Sequence, residues 1–185
     1  MVTIGLLGKK SSGKSTAANY LSEHGYEIYS LATPLKILSK TLYKLSDQQL
    51  YGNEKEIIDK RYNCSPRYIM QYIGTDIVRK YFGKDYWLTF LAKYIADYPN
   101  KKIVIDDVRF QNEVNYILAL KTNSCIIKIT SGEIDSLNDN HVSEKGIDNI
   151  KNYSYKIINC KNRNSVKDFQ GKILKLLNEN IKNIK

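Results

Sequence analysis

Eight consecutive residues near the start of the chain, Gly8-Lys9-Lys10-Ser11-Ser12-Gly13-Lys14-Ser15, fit the phosphate-loop template G-x-x-x-x-G-K-[ST] without a gap. Each residue type has a chemical reason. The glycines permit a tight turn in which successive backbone N–H groups point inward at phosphate oxygens. A helix starting at Lys14 adds the positive end of its dipole to the same place. The Lys14 ammonium can neutralise a transferring phosphoryl group, and the Ser15 hydroxyl can ligate Mg²⁺. Ser11 and Ser12 complete the candidate set around the phosphates. An ordinary Gly/Ser turn before a helix has a similar eight-residue pattern. Here an apolar strand precedes the loop and a helical pattern follows it, which is the context the template requires.

A second constellation lies near the middle of the chain. Ile103-Val104-Ile105-Asp106-Asp107 reads as a strand ending in acids, followed by Val108-Arg109. Acids at the C-terminal end of a strand sit on the edge where open α/β sheets bind ligands. Asp107 can hold a Mg²⁺-bound water or a substrate group, and Arg109 a phosphate; acids in the first turn of a helix would read the same way. Only five arginines occur: Arg61, Arg67, Arg79, Arg109 and Arg163. In a lysine-rich chain, arginine marks places where a planar fork on phosphate matters.

Those residues need elements to position them. Val2 to Leu7 is nearly continuous apolar sequence, as a central parallel strand requires. The helix from Lys14 to Glu23 is closed by Gly25. A short strand follows over Tyr26 to Ser30, then a helix opened by Pro34 and running to about Leu45. Residues 46–64 are polar and weakly periodic and read as a mobile connection. Pro66 begins a helix with Ile69, Ile73 and Ile77 on one face, and a further helix covers Tyr86 to Asp97. Strands at Lys102 to Asp106, Cys125 to Thr130 and Lys156 to Asn159 alternate with helices at Asn112 to Leu120 and along the stripe Val166, Phe169, Ile173, Leu177. Residues 131–150 read as a second mobile, polar segment. The alternation predicts an α/β fold with three layers, a central parallel sheet of about five strands, and one domain over residues 1–185.

Composition narrows the possibilities. With 185 residues the chain suits one globular domain. Its net charge is +10, but lysine supplies most of it and is spread evenly, so a nucleic-acid groove is not expected. The balance favours anionic small molecules such as nucleotides. No apolar run approaches the roughly 20 residues a membrane helix needs, and no signal peptide is read at the N-terminus. Cys64, Cys125 and Cys160 are far apart and form no metal or disulfide spacing, which points to a reducing cytoplasm.

Several ordered blocks resemble the deoxynucleoside monophosphate kinases of bacteriophages and other viruses, members of the P-loop kinase superfamily. The blocks are Gly8 to Ser15; Leu31 to Lys36; Arg67 to Asp76; Tyr86-Trp87; Asp107 to Glu113; and His141 to Glu144. The Arg-x-x-x-Gln-x-x-Gly-Thr and Asp-Val-Arg-Phe-x-Asn-Glu blocks are the specific ones. The resemblance implies ATP and Mg²⁺ as donor and cofactor, and a deoxynucleoside 5′-monophosphate as acceptor. It implies Gly8, Gly13, Lys14, Ser15 and Thr16 on the donor side. It also implies Lys10, Lys36, Arg67, Gln71, Gly74, Thr75, Trp87, Asp107, Arg109 and Glu113 on the acceptor side, with Ser15 and Asp107 at the metal. Arg79, one helix face away from Gly74 and Thr75, is added on chemical grounds as a catalytic cation beside Lys14 and Arg109.

Plain structural roles stay open for several of these. Lys36 and Gln71 can be solvated helix positions, and Trp87 lies on an apolar stripe where it can be core. His141 and Glu144 fall where such kinases carry a closing lid, and are not taken as site residues. Thr130-Ser131 stands where the family often has Arg-Pro, so Lys128 or Arg109 would have to supply the lid cation. Two rivals remain. Animal phosphomevalonate kinases share a Ser-Glu-x-Gly-x-Asp-Asn pattern, here Ser143 to Asn149, and a nucleic-acid-binding P-loop NTPase would use the positive charge. A homodimer is left open.

Overall fold

The computed structural model describes residues 1–120, 123–131, 146–159 and 165–181. Its elements run β1 (Val2–Leu7), α1 (Lys14–Glu23), β2 (Glu27–Tyr29), α2 (Thr33–Tyr43), α3 (Asp47–Leu50), α4 (Pro66–Gln71), α5 (Tyr86–Asp97), β3 (Lys102–Val108), α6 (Gln111–Leu118), β4 (Asn123–Ser131), β5 (Tyr155–Asn159) and α7 (Ser165–Leu176). His141, Glu144, Cys160, Arg163 and most of the polar stretch 131–150 lie outside the described residues. By contact the chain divides into two compact units, Met1–Ser30 with Ile95–Lys185, and Leu31–Tyr94.

The first unit is built on a five-stranded sheet in the order β2-β3-β1-β4-β5, with every neighbouring pair parallel. β1 is central, which accounts for its apolar run: it is covered on both faces. Side chains alternate along a strand, so Ile4 and Leu6 serve one face and Gly5 the other. On the first face α1 buries Ala17, Ala18 and Leu21, and α7 buries Phe169 and Ile173, against Ile4, Leu6, Val104, Ile127, Ile129 and Ile157. On the second, Ile117 of α6 lies with Ile126 against Gly5. The result is the three-layer arrangement that the strand–helix alternation predicts.

The second unit packs helices around Leu35, Leu45, Leu50, Ile69, Ile73, Val78 and Trp87. α4 continues directly into wider, π-helical turns over Tyr72–Arg79. Bonding from i to i+5 stretches the repeat, so Val78 rather than the expected Ile77 takes the buried place after Ile73.

Residues 46–64, expected as a connection without structure, carry structure of their own. Ser46 caps α3: its Oγ accepts from the Gln49 N–H at 3.2 Å, while the Gln49 side chain accepts from the Ser46 N–H at 2.9 Å. One 3₁₀ turn follows over Asn53–Glu56, and Asp59 and Cys64 pair in an isolated bridge. The Asp59 carboxylate accepts from the Arg61 guanidinium, the Arg61 N–H and the Gln49 amide. Polar groups bonded to nearby backbone leave no apolar period to read.

The Arg61 hydrogen bonds hold the Asp59 carboxyl far below its ordinary range. Its folded pKa is lower than its unfolded one, so the stabilisation is complete above about pH 5 and is lost as pH falls through the depressed value. Urea unfolding in a series between about pH 5 and pH 2 checks this. Asp59→Asn should unfold more easily than wild type at the upper end, with the difference closing as pH falls.

Candidate active site

All strands of a parallel sheet end at one edge, where open α/β sheets take their ligands. β1 delivers Gly8 to that edge. Its last residue, Leu7, pairs with Val108 on one side and Lys128 on the other, so the loop begins directly beside the Asp107–Arg109 segment.

The loop is shaped by residues that turn left-handed. Gly13 has φ 107° and Ser11 has φ 62°, and the Ser12 N–H closes back on the Lys9 carbonyl at 3.2 Å. Gly13 needs the freedom of glycine at that φ. Gly8 needs its small size instead: a Cβ there would lie 2.4 Å from the Ile129 carbonyl oxygen. The Lys14 ammonium folds over the loop, donating to the Gly8 and Lys9 carbonyls at 2.6 Å each. Ser12 is buried and its hydroxyl lacks a hydrogen-bond partner. The first turn of α1 has neither an acidic residue nor a side-chain cap, so the positive end of its dipole is turned to the loop without a negative side chain to offset it. Left-handed turns, a folded-over ammonium, an orphan hydroxyl and an uncapped helix start together suit a phosphate chain.

β3 carries the second constellation through a bulge. Between Gly5↔Ile105 and Leu7↔Val108 the register gains a residue on β3, at Asp106–Asp107. Bulges re-aim side chains next to sites, and here the affected residue is Asp107. Its carboxylate accepts from Ser30 Oγ at 2.7 Å. Burial, with Asp107 adding to it, pushes the nearby Tyr29 phenol up to about 12. Glu113, expected on the acceptor side, is buried under the turn. Its Oε2 accepts from the N–H groups of Arg109 at 2.8 Å and Phe110 at 3.0 Å, holding the chain that presents Arg109. Its place three residues into α6 lets it reach back to the N–H groups that precede the helix.

Lys128 has a different task from the one allotted to it. It is buried beside Tyr153 and donates to the carbonyls of Ile147, Asp148 and Ile150 at 2.9–3.3 Å, so its ammonium is committed to backbone rather than offered as a lid cation. Burial lowers its pKa. The turn it holds places Asp148, whose carboxylate pairs with Lys9 of the loop at 2.6 Å.

The remaining candidates lie in the second unit. Arg67 donates to Glu56 at 2.5 Å, and Lys36 sits 4.6 Å from the centre of the Tyr51 ring. Gly74 is buried: its carbonyl accepts the Trp87 indole N–H at 3.0 Å, and a Cβ on it would strike Leu35. Trp87 is itself in the core, with Tyr86 edge-on and Phe90 stacked. Gln71 has a buried amide nitrogen without a partner. Thr75 and Arg79 are half-buried on the π-helical turns, as Lys10 is on the loop. Thus the phosphate loop, Asp107, Arg109 and Glu113 gather in one unit, and Lys36, Arg67, Gln71, Gly74, Thr75, Arg79 and Trp87 in the other.

Sequence reasoning missed three residues. Ser30 binds Asp107, Asp148 binds Lys9, and Asn159 donates to the Ser12 carbonyl at 3.0 Å. Their only signal was a polar residue at a strand end or in a turn. Among the described residues no three His, Cys, Asp or Glu side chains gather as a metal site, and no helix is long and apolar enough to cross a membrane.

Comparison with known proteins gives the chain's family and fold. The family model described as deoxynucleotide monophosphate kinase matches residues 39–173. A protein of Acanthamoeba polyphaga mimivirus, described provisionally as a deoxynucleotide monophosphate kinase, is 39% identical, over 94% of this chain and 95% of its own. The deoxynucleoside-5′-monophosphate kinase of Escherichia phage T5 is 33% identical over 56% of this chain and 43% of its own. Among solved structures, dephospho-CoA kinase from Campylobacter jejuni superposes with a TM-score of 0.58 at 16% identity, covering both chains completely. That likeness shows the P-loop kinase fold.

Proposed function

The chain belongs to the deoxynucleotide monophosphate kinase family, and on that premise we propose that it transfers the terminal phosphoryl group of ATP to a deoxynucleoside 5′-monophosphate, giving the diphosphate. The observation that supports this most is the meeting of the phosphate loop with the Asp107–Arg109 turn at one sheet edge, Leu7 pairing with Val108.

In this reading Gly8, Ser11, Ser12, Gly13, Lys14, Ser15 and Thr16 bind the ATP phosphates. Ser15 and Asp107 would hold Mg²⁺, which when bound neutralises phosphate charge; such ions take few protein ligands and complete their shell from phosphates and water. For the acceptor phosphate the first unit offers the cations Lys10 and Arg109, and the second unit offers Lys36, Arg67, Thr75 and Arg79. Gln71 Nε2, buried without a partner, offers a donor to the acceptor. Gly74 and Trp87 pack together, the Trp87 indole N–H donating to the Gly74 carbonyl, and Glu113 sets the Arg109 turn. An acceptor phosphate is already ionised at neutral pH, so the chemistry rests on alignment and charge neutralisation rather than on a general base. The free thiols of Cys64 and Cys125 fit a cytoplasmic setting.

ADP release from ATP, measured across deoxy- and ribonucleoside monophosphates and phosphomevalonate, tests the reading. Turnover with at least one deoxynucleoside monophosphate is expected. Turnover confined to phosphomevalonate, or ATP hydrolysis that responds to nucleic acid and to no monophosphate, would refute it.

A further inference from the structure

We propose that Asn159, the last residue of β5, is a positioning residue that locks one peptide of the phosphate loop in the orientation that binds nucleotide phosphates. The proposal rests on the reading of that loop as the ATP site.

Three observations converge on the Ser12–Gly13 peptide. The Asn159 amide nitrogen donates to the Ser12 carbonyl oxygen at 3.0 Å. The same nitrogen stands 2.4 Å from where a Gly13 Cβ would be, so the strand end presses directly on the loop. Gly13 itself sits at φ 107°, in the region only glycine enters freely. Register places Asn159 there: it pairs with Ser131 at the far end of β4, so β5 reaches the sheet edge that carries the loop.

The consequence follows from peptide geometry. The bond between residues 12 and 13 is trans, so the Ser12 C=O and the Gly13 N–H point in opposite directions. Drawing the carbonyl toward β5 turns the Gly13 N–H away from β5. That N–H belongs to the row of amides the template aims at phosphate oxygens. Glycine peptides at positive φ rotate with little steric resistance, and rotation of this one would present a carbonyl oxygen to the phosphates in place of a donor. Asn159 opposes that rotation before nucleotide arrives, which is preorganisation of the kind that strengthens binding without adding a contact to the ligand.

The test separates hydrogen bonding from space filling. Asn159→Asp keeps the shape but replaces the donor with an acceptor facing the Ser12 carbonyl; Asn159→Ala removes both. Both variants should weaken ATP binding, measured directly by calorimetry, by on the order of tenfold. The KM for the monophosphate acceptor should stay unchanged while that for ATP rises. An Asn159→Asp protein that binds ATP as wild type does would overturn the proposal. Wild-type protein that binds no ATP at all would instead overturn the reading of the loop.

A second measurement needs no variant. In wild-type protein without nucleotide, the Gly13 amide should give one sharp NMR resonance that moves when ADP is added. A resonance broadened by exchange between two peptide orientations would contradict the lock.

Discussion

Replacing Lys14 by alanine lowers turnover of ATP with a deoxynucleoside monophosphate by on the order of 10²–10³-fold, the scale found when one preorganised charge partner is taken from a transition state. Lys14 is buried, and its ammonium already lies over the loop, donating to the Gly8 and Lys9 carbonyls at 2.6 Å. Those carbonyls hold it at the mouth of the turn. A phosphoryl oxygen entering the turn offers it a charged acceptor, and charge-assisted bonds are about twice as strong as neutral ones. The loop has other supports, the Lys9–Asp148 pair and the Asn159 hydrogen bond, so the variant should remain folded and the loss should fall on kcat. Lys14→Arg should not restore it, because a planar fork cannot occupy the place of a compact ammonium. Near-normal kcat in Lys14→Ala, measured with folded protein, would remove Lys14 from the mechanism.

Arg109→Ala should reduce kcat/KM for the acceptor by on the order of 10²-fold while leaving the KM for ATP little changed. Its backbone is fixed independently of its side chain, since Glu113 accepts from the Arg109 and Phe110 N–H groups. Truncation therefore removes the guanidinium and leaves the turn. Arg109→Lys should recover only part of the loss, as an ammonium supplies charge without the bidentate fork. Steady-state kinetics with each substrate varied in turn separates the two KM values. An effect confined to ATP would move Arg109 to the donor side.

Much of the first unit was legible because its signals are local. Four properties of the opening residues (an apolar run, two glycines, a lysine and a hydroxyl) set β1, the loop and the start of α1 in one stretch. The acids ending β3 were equally readable, whereas the hydrogen bonds of Glu113 to the Arg109 and Phe110 N–H groups were not. The contacts that tune the site were not readable. Ser30 and Asp107 are 77 residues apart and Ser12 and Asn159 are 147 apart; only the strand order and register bring them together.

In the second unit, periodicity failed for two physical reasons. Residues 46–64 are held by side-chain-to-backbone bonds that leave no stripe. Past Gln71 the helix widens, so a 3.6-residue count selects Ile77 where the core receives Val78. Trp87 shows the limit of composition: a lone tryptophan beside a glycine block can stack on a ligand or fill a core, and its indole bond to Gly74 places it in the core.

Following the fate of the label from γ-³²P-ATP tests the central claim most directly. Incubated with this protein and a deoxynucleoside monophosphate, the label should appear in the deoxynucleoside diphosphate, one for each ADP formed. Recovery of the label only as inorganic phosphate, or only in unreacted ATP with every deoxynucleoside monophosphate tried, would contradict it.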